Sequence, residues 1–189
     1  EYIMEFTVFK TRVKISPLFF AVLTAFLLAD REKIAFAAIC FSLFHELCHF
    51  AVLVVFKKAP QEIDVSAAGI SMCLNQMSTA QRIAVFSAGA VGNFVLAAVF
   101  AATEKSLFCA INLVIGIFTL LPLCSTDGGS IVAALAESFF PEQAKMLCRI
   151  IFTAFGLMAT VLLFSAAIVY KNPYLLIAVF YAVICLLKY

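Results

Sequence analysis

Long apolar runs separated by short clusters of charge dominate the chain. Six stand out: Pro17–Ala29, Ile34–Phe56, Ala80–Ala102, Leu107 to a break near Pro122, Met146–Tyr170 and Tyr174–Leu187. A helix needs about 20 apolar residues to cross the ~30 Å hydrocarbon core. The first run is short for this, with Val13–Ser16 available to extend it. Two segments depart from the pattern. Ile63, Val65 and Ala67 alternate with polar residues, and Ile70, Met72 and Leu74 alternate again after Ala68 and Gly69, which predicts a hairpin with a Gly-bearing turn. In Ser130–Phe140, Ile131, Leu135 and Phe139 recur at helical spacing, predicting a helix along the interface. The expected fold is an all-α polytopic membrane protein with about six transmembrane helices and a small β-hairpin between helices 2 and 3. No stretch reads as an interdomain linker and no internal repeat is present, so residues 1–189 are expected to form a single membrane-embedded domain, with no soluble regulatory domain.

Composition agrees. Hydrophobic residues make up 65% and charged residues 13% of 189, against about 45–50% and about 25% in soluble domains. A soluble fold of this size has too much surface for its volume to hide that much apolar area. Lys and Arg then set the orientation. Nine of the thirteen fall on the side that holds both termini and four on the other, so both termini are expected in the cytoplasm. The net charge of +2 is small and scattered, which speaks against nucleic-acid binding. Seven cysteines without a Cys-x-x-Cys pair read as small hydrophobes rather than a disulfide framework.

The candidate chemistry lies in the second run. The two histidines are His45 and His49, in His45-Glu46-Leu47-Cys48-His49. Four apart on a helix, both imidazoles project from one face and can bind one zinc ion, with Glu46 available as general base for an attacking water. Two histidines at this spacing with Glu after the first arise by chance in about one chain in 2,000 of this composition, a low false-positive rate for a short motif. His45 lies about eleven residues, or roughly 17 Å, from each end of its run. Ionisable groups at such depth point to function. A hydrolytic zinc site usually takes a third protein ligand. Asp127 is a candidate, because Pro122 stops the fourth helix and Gly128-Gly129 lets the backbone turn beside it.

These residues resemble the site-2 protease family of intramembrane zinc metalloproteases, and most of all its compact six-span branch, which includes the stage IV sporulation protease acting on pro-sigma-K. The resemblance is carried by Phe44–His49, by Gly89-Ala90-Val91-Gly92-Asn93 in the third run, and by Asn112–Phe118 leading into Pro122 and Asp127-Gly128-Gly129. It implies one Zn2+ per chain on His45, His49 and Asp127, with Glu46 as catalytic base. It also offers Thr119, Asn93 and Pro122 as substrate contacts. Four positions differ from the family pattern: Thr119 stands for Asn, Ser125 for Pro, Cys48 for Gly and Ala90 for Pro.

The expected activity is hydrolysis of peptide bonds in or near membrane spans. The substrates would be single-span membrane proteins or membrane-associated pro-proteins in the lipid bilayer, and the resemblance suggests a bacterial plasma membrane. Regulation by a membrane partner is left open. The alternative is a catalytically weak relative that binds transmembrane helices as a scaffold, a reading prompted by Thr119 and Ser125. Cys48, about 60° around the helix from His45, is either a further approach to the metal or a small packing residue.

Overall fold

The structure is a computed structural model that describes residues 4–8, 11–30, 33–58, 60–66, 69–73, 76–169, 171, 179 and 183. The chain divides into two compact units, residues 1–117 and 118–189.

The first unit opens with strands β1 (Met4–Val8) and β2 (Thr11–Ile15), followed by helices α1 (Pro17–Ala29) and α2 (Ile34–Val55). Strands β3 (Glu62–Ser66) and β4 (Gly69–Cys73) come next, then α3 (Thr79–Ala102) and α4 (Ser106–Thr119). The expected hairpin is β3–β4, paired antiparallel from Glu62↔Cys73 to Ser66↔Gly69. Its turn residues Ala67 and Ala68, and Leu74 beyond it, lie outside the described residues. The hairpin is half of a larger sheet. An N-terminal hairpin, β1–β2, joins it through a parallel β2–β3 pairing, giving the order β1-β2-β3-β4.

Parallel neighbours need a long crossover, and here α1 and α2 are that crossover. The pairing is backed by Lys14 Nζ donating to Glu62 Oε1 at 2.8 Å and by Thr11 Oγ1 donating to the Pro60 carbonyl at 2.9 Å. The Glu62 carboxylate raises the Lys14 ammonium above its ordinary value.

The extension of the first span through Val13–Ser16 is not helical. Val13–Ile15 belong to β2, and Ser16 is an extended cap before Pro17 at the start of α1. Proline fits the first helical turn but forces its predecessor out of helical conformation, so the helix starts there. At the other end of the sheet, Ser78 caps α3 reciprocally with Gln81: its hydroxyl accepts from Gln81 N–H and its own N–H donates to Gln81 Oε1.

Among the described residues, three helices are long and apolar enough to cross a membrane, α2, α3 and α6 (Ala144–Val169). α1 and α4 have 13 and 14 residues, about 20 Å each at 1.5 Å per residue. The chain is an integral membrane protein, with apolar side chains such as Val95, Val99, Val161 and Leu162 turned outward. Lipid accepts those faces, so the packed interior of the first unit relies on small residues such as Ala90 and Ala97 that bring helices close. Phe41 of α2, Phe100 of α3 and Phe108 of α4 meet edge to face, with centroids 5.3–5.7 Å apart.

The second unit holds α5 (Asp127–Phe139) and α6. The predicted interface helix is α5, beginning three residues earlier than its apolar spacing indicates. Ala136 of α5 packs on Ala144, Cys148 and Phe152 of α6. The sixth apolar run, Tyr174–Leu187, lies outside the described residues apart from Val179 and Val183.

Replacing Phe108 by Ala removes two of the three aromatic pairs. Beyond lost packing this is expected to cost about 1–3 kcal/mol, read as an earlier midpoint in an SDS-unfolding titration of the detergent-solubilised protein.

Candidate metal centre

His45 and His49 lie on the face of α2 that meets α3, 4% and 6% exposed. Burial on this scale obliges each ring nitrogen to find a partner. His49 Nδ1 donates to the Val85 carbonyl at 2.6 Å, and His45 Nδ1 donates to Asn93 Oδ1 at 2.9 Å. The order His45–Asn93, His49–Val85 makes α2 and α3 antiparallel here.

Val85, Gly89 and Asn93 are spaced four apart along α3, and Gly89 sets the distance. A Cβ there would stand 2.5 Å from His45 Nε2 and 2.6 Å from His49 Nε2, far inside contact distance. Its absence does two things. It lets the imidazoles sit against the α3 backbone, and it leaves the second lone pair of the Val85 carbonyl, one turn earlier, open to His49. One turn on, Gly92 receives Cys48 and the ring of Phe44. Cys48 therefore packs as a small residue between the helices.

The two Nε2 atoms face each other 3.0 Å apart, and in the tautomer with the proton on Nδ1 each carries a lone pair. Two lone pairs at that distance repel unless a cation lies between them. Two zinc–nitrogen bonds of about 2.0–2.1 Å at a tetrahedral angle put the nitrogens about 3.3–3.4 Å apart. The pair is close to that span. Each Nδ1–H also rests on an oxygen acceptor, the outer support that orients metal-binding histidines. The donor set fits a divalent metal with affinity for imidazole.

Glu46 follows His45 on α2, half-buried and about 100° around the helix. In the first unit, then, His45, His49 and Asn93 are brought together by direct contact, with Glu46 adjoining on the same helix.

In the second unit, Asp127 is the first residue of α5 and is half-buried. Thr126 caps the helix: its hydroxyl accepts from Gly129 N–H at 3.3 Å and donates to the Leu121 carbonyl. The segment from Leu120 to Leu123 thereby folds back over the start of α5. Room for it comes from Gly128 and Gly129, where a Cβ would collide with the carbonyls of Leu120 and Leu121 and of Leu123 respectively. Thr119 ends α4 and Pro122 sits in this fold-back. A carboxylate in the first turn is favoured by the helix dipole.

One residue that the sequence offered only as part of the Asn112–Phe118 stretch, without a role, belongs with the first-unit cluster. Asn112 of α4 is fully buried, and its Oδ1 accepts from Asn93 Nδ2 at 3.1 Å. Its signal was an amide in an apolar span, four residues before Gly116, whose missing Cβ admits the ring of Phe94.

No protein-family model and no curated protein matches the sequence. Among solved structures, the chain is similar to the site-2 protease from Methanocaldococcus jannaschii, with a TM-score of 0.71 and 15% sequence identity. The match covers 99% of this chain and 94% of that one. The chain has the site-2 protease fold.

Replacing Gly89 by Ala places a methyl group where the two imidazoles meet. The variant is expected to keep its helical circular dichroism but bind zinc at least about tenfold more weakly, within the range for disturbed metal-site support, as measured by chelator competition.

Proposed function

We propose that this chain, built on the site-2 protease fold, is an intramembrane zinc metalloendopeptidase. One zinc ion would be held by His45, His49 and Asp127, with Glu46 as the catalytic base. The observation that carries the reading is the buried imidazole pair, each Nδ1–H on an oxygen acceptor and the two Nε2 atoms 3.0 Å apart. A third, anionic ligand would leave one tetrahedral position for the reaction, the pattern of hydrolytic zinc sites. Asp127 is the candidate because the Pro122 break and the glycine pair set a carboxylate at a helix start.

When bound, the metal would supply Lewis acidity at the scissile carbonyl. The residues do the rest. The Nδ1 anchors hold the imidazoles in one orientation. Glu46 takes the proton of the attacking water and passes it to the leaving amine. A helical substrate must unwind first, because its carbonyls are hydrogen-bonded internally. The four-stranded sheet presents β1 and β4 as its edges, and pairing with an edge strand would hold the unwound segment by main-chain hydrogen bonds. Thr119 and Pro122, beside the Asp127 turn, are proposed substrate contacts, and so is Asn93.

Nine Lys and Arg against four favour both termini in the cytoplasm, and the fold is compatible with a bacterial plasma membrane. Single-span membrane proteins or membrane-associated pro-proteins are the substrates we propose, with a sporulation pro-protein as one instance and a membrane partner as regulator. Thr119, where the family pattern has Asn, favours the second reading of a helix-binding scaffold.

Zinc content separates the two. The protease reading expects about one zinc per detergent-purified chain, lost or sharply reduced in His45→Ala and in Asp127→Ala. Glu46→Gln should retain zinc yet lose cleavage of a single-span test protein with a glycine-weakened helix, co-reconstituted in liposomes. A chain that takes up no zinc even when it is supplied, and whose phenotype survives Glu46→Gln, is a scaffold.

A further inference from the structure

A single line of hydrogen bonds runs from His45 across three helices. His45 Nδ1 meets Asn93 Oδ1 at 2.9 Å, Asn93 Nδ2 meets Asn112 Oδ1 at 3.1 Å, and Asn112 Nδ2 meets the Phe108 carbonyl at 2.9 Å. Both asparagines are fully buried, so water does not share these bonds. An amide can be turned end for end at almost no steric cost, and neither Asn93 nor Asn112 fixes its own direction. The last partner does. A main-chain carbonyl only accepts, so Asn112 must present its NH2 to Phe108 and its oxygen to Asn93. Asn93 must then present its NH2 to Asn112 and its oxygen to His45. An oxygen only accepts, so His45 must carry a proton on Nδ1, which in the neutral ring leaves the lone pair on Nε2. Reversing any one amide sets two oxygens, or two N–H groups, against each other somewhere along the line.

We propose that Asn112 is a positioning residue, which acts through Asn93 to hold His45 in the Nδ1–H tautomer, with its lone pair on Nε2. Asn112 bonds to Asn93 and to the Phe108 carbonyl. Its influence is the polarity it passes on from the Phe108 carbonyl, the fourth residue before it on α4. His49 needs no such relay, because its Nδ1 rests directly on the Val85 carbonyl. The two rings thus reach the same tautomer by different routes, one through α3 alone and the other through α3 to the backbone of α4. The tautomer itself stands on the hydrogen bonds; its consequence for zinc rests on the metal-site reading above.

The test needs no substrate. The chain contains two histidines, so 15N-histidine labelling yields two pairs of ring nitrogens. In the full-length, metal-stripped protein in detergent at pH 9, both rings are expected to be protonated on Nδ1 only. In Asn112→Leu, which fills the same space without polarity, Asn93 loses its acceptor and is free to turn its NH2 toward His45. One ring of the two should then move its proton to Nε2, and zinc affinity should fall about 10–100-fold.

Asn112→Asp is the rescue. Neutral or ionised, its carboxyl presents an oxygen to Asn93 Nδ2 and so keeps Asn93 Oδ1 toward His45. Tautomer and zinc affinity should therefore match the unmodified protein. A residue that served packing alone would leave the tautomer unchanged in Asn112→Leu, and that result overturns the proposal. So does a ring protonated on Nε2 in the unmodified protein, a measurement that requires no variant to fold. If the tautomer moves as expected while no form of the protein binds zinc, the relay stands and the metal reading fails.

Discussion

Two imidazoles buried on one face of α2 must each find an oxygen within the protein for their Nδ1–H, and the first unit is arranged around that need. α3 has to approach closely enough for a main-chain carbonyl to serve one ring and a side-chain amide the other. Glycine at position 89 allows the approach. The same glycine uncovers the Val85 carbonyl, so one missing side chain provides both the space and an acceptor. Asn93 then has its own NH2 to satisfy, and α4 must come near enough for Asn112 to do so. The polar requirement of one histidine thus passes from helix to helix until a backbone carbonyl ends it.

The surrounding medium makes this requirement strict. Each helix satisfies its own backbone, and lipid accepts its apolar side chains, so neither term brings helices together as water does. What remains is close packing at small residues, aromatic contact and hydrogen bonding between buried amides and rings. The first unit uses all three on the same helices: Ala90 and Gly92 for approach, Phe41, Phe100 and Phe108 for edge-to-face contact, and His45, Asn93 and Asn112 for polarity. The sheet contributes differently. Its parallel β2–β3 pairing makes α1 and α2 one long crossover, so the helix pair that includes the histidines is tied at both ends to the same sheet.

In the second unit a carboxylate is presented by a different device. Proline ends α4, the chain folds back, and the hydroxyl of Thr126 ties Leu121 and Gly129 into a rigid entry to α5. The two glycines after Asp127 are required by the close passage of three carbonyls, none of which would tolerate a methyl group there. Spacings of this kind constrain few residue identities while fixing backbone paths tightly. The chain keeps the fold of the site-2 protease from Methanocaldococcus jannaschii over nearly its whole length at 15% identity.

Much of this was legible in the sequence because it is set by local rules. Apolar length gave the spans, helical spacing put His45 and His49 on one face, and proline with paired glycines marked the turn before α5. Alternation around Gly69 identified β3–β4 but missed its partners, because the sequence between β1 and β2, Phe9-Lys10, holds none of the residues that advertise a tight turn. The extension of α1 into Val13–Ser16 failed for the same kind of reason: apolar character does not distinguish strand from helix over four residues, and a pairing to β3, some fifty residues on, decided it. The sequence by itself determined which residues could carry chemistry. Only the tertiary structure decided that Gly89 must be empty, that Asn93 serves His45, and that Asn112 orients Asn93. A hydrogen bond has a direction, and that direction is settled by the partner at its far end, nineteen residues along the chain between the two asparagines and on a different helix.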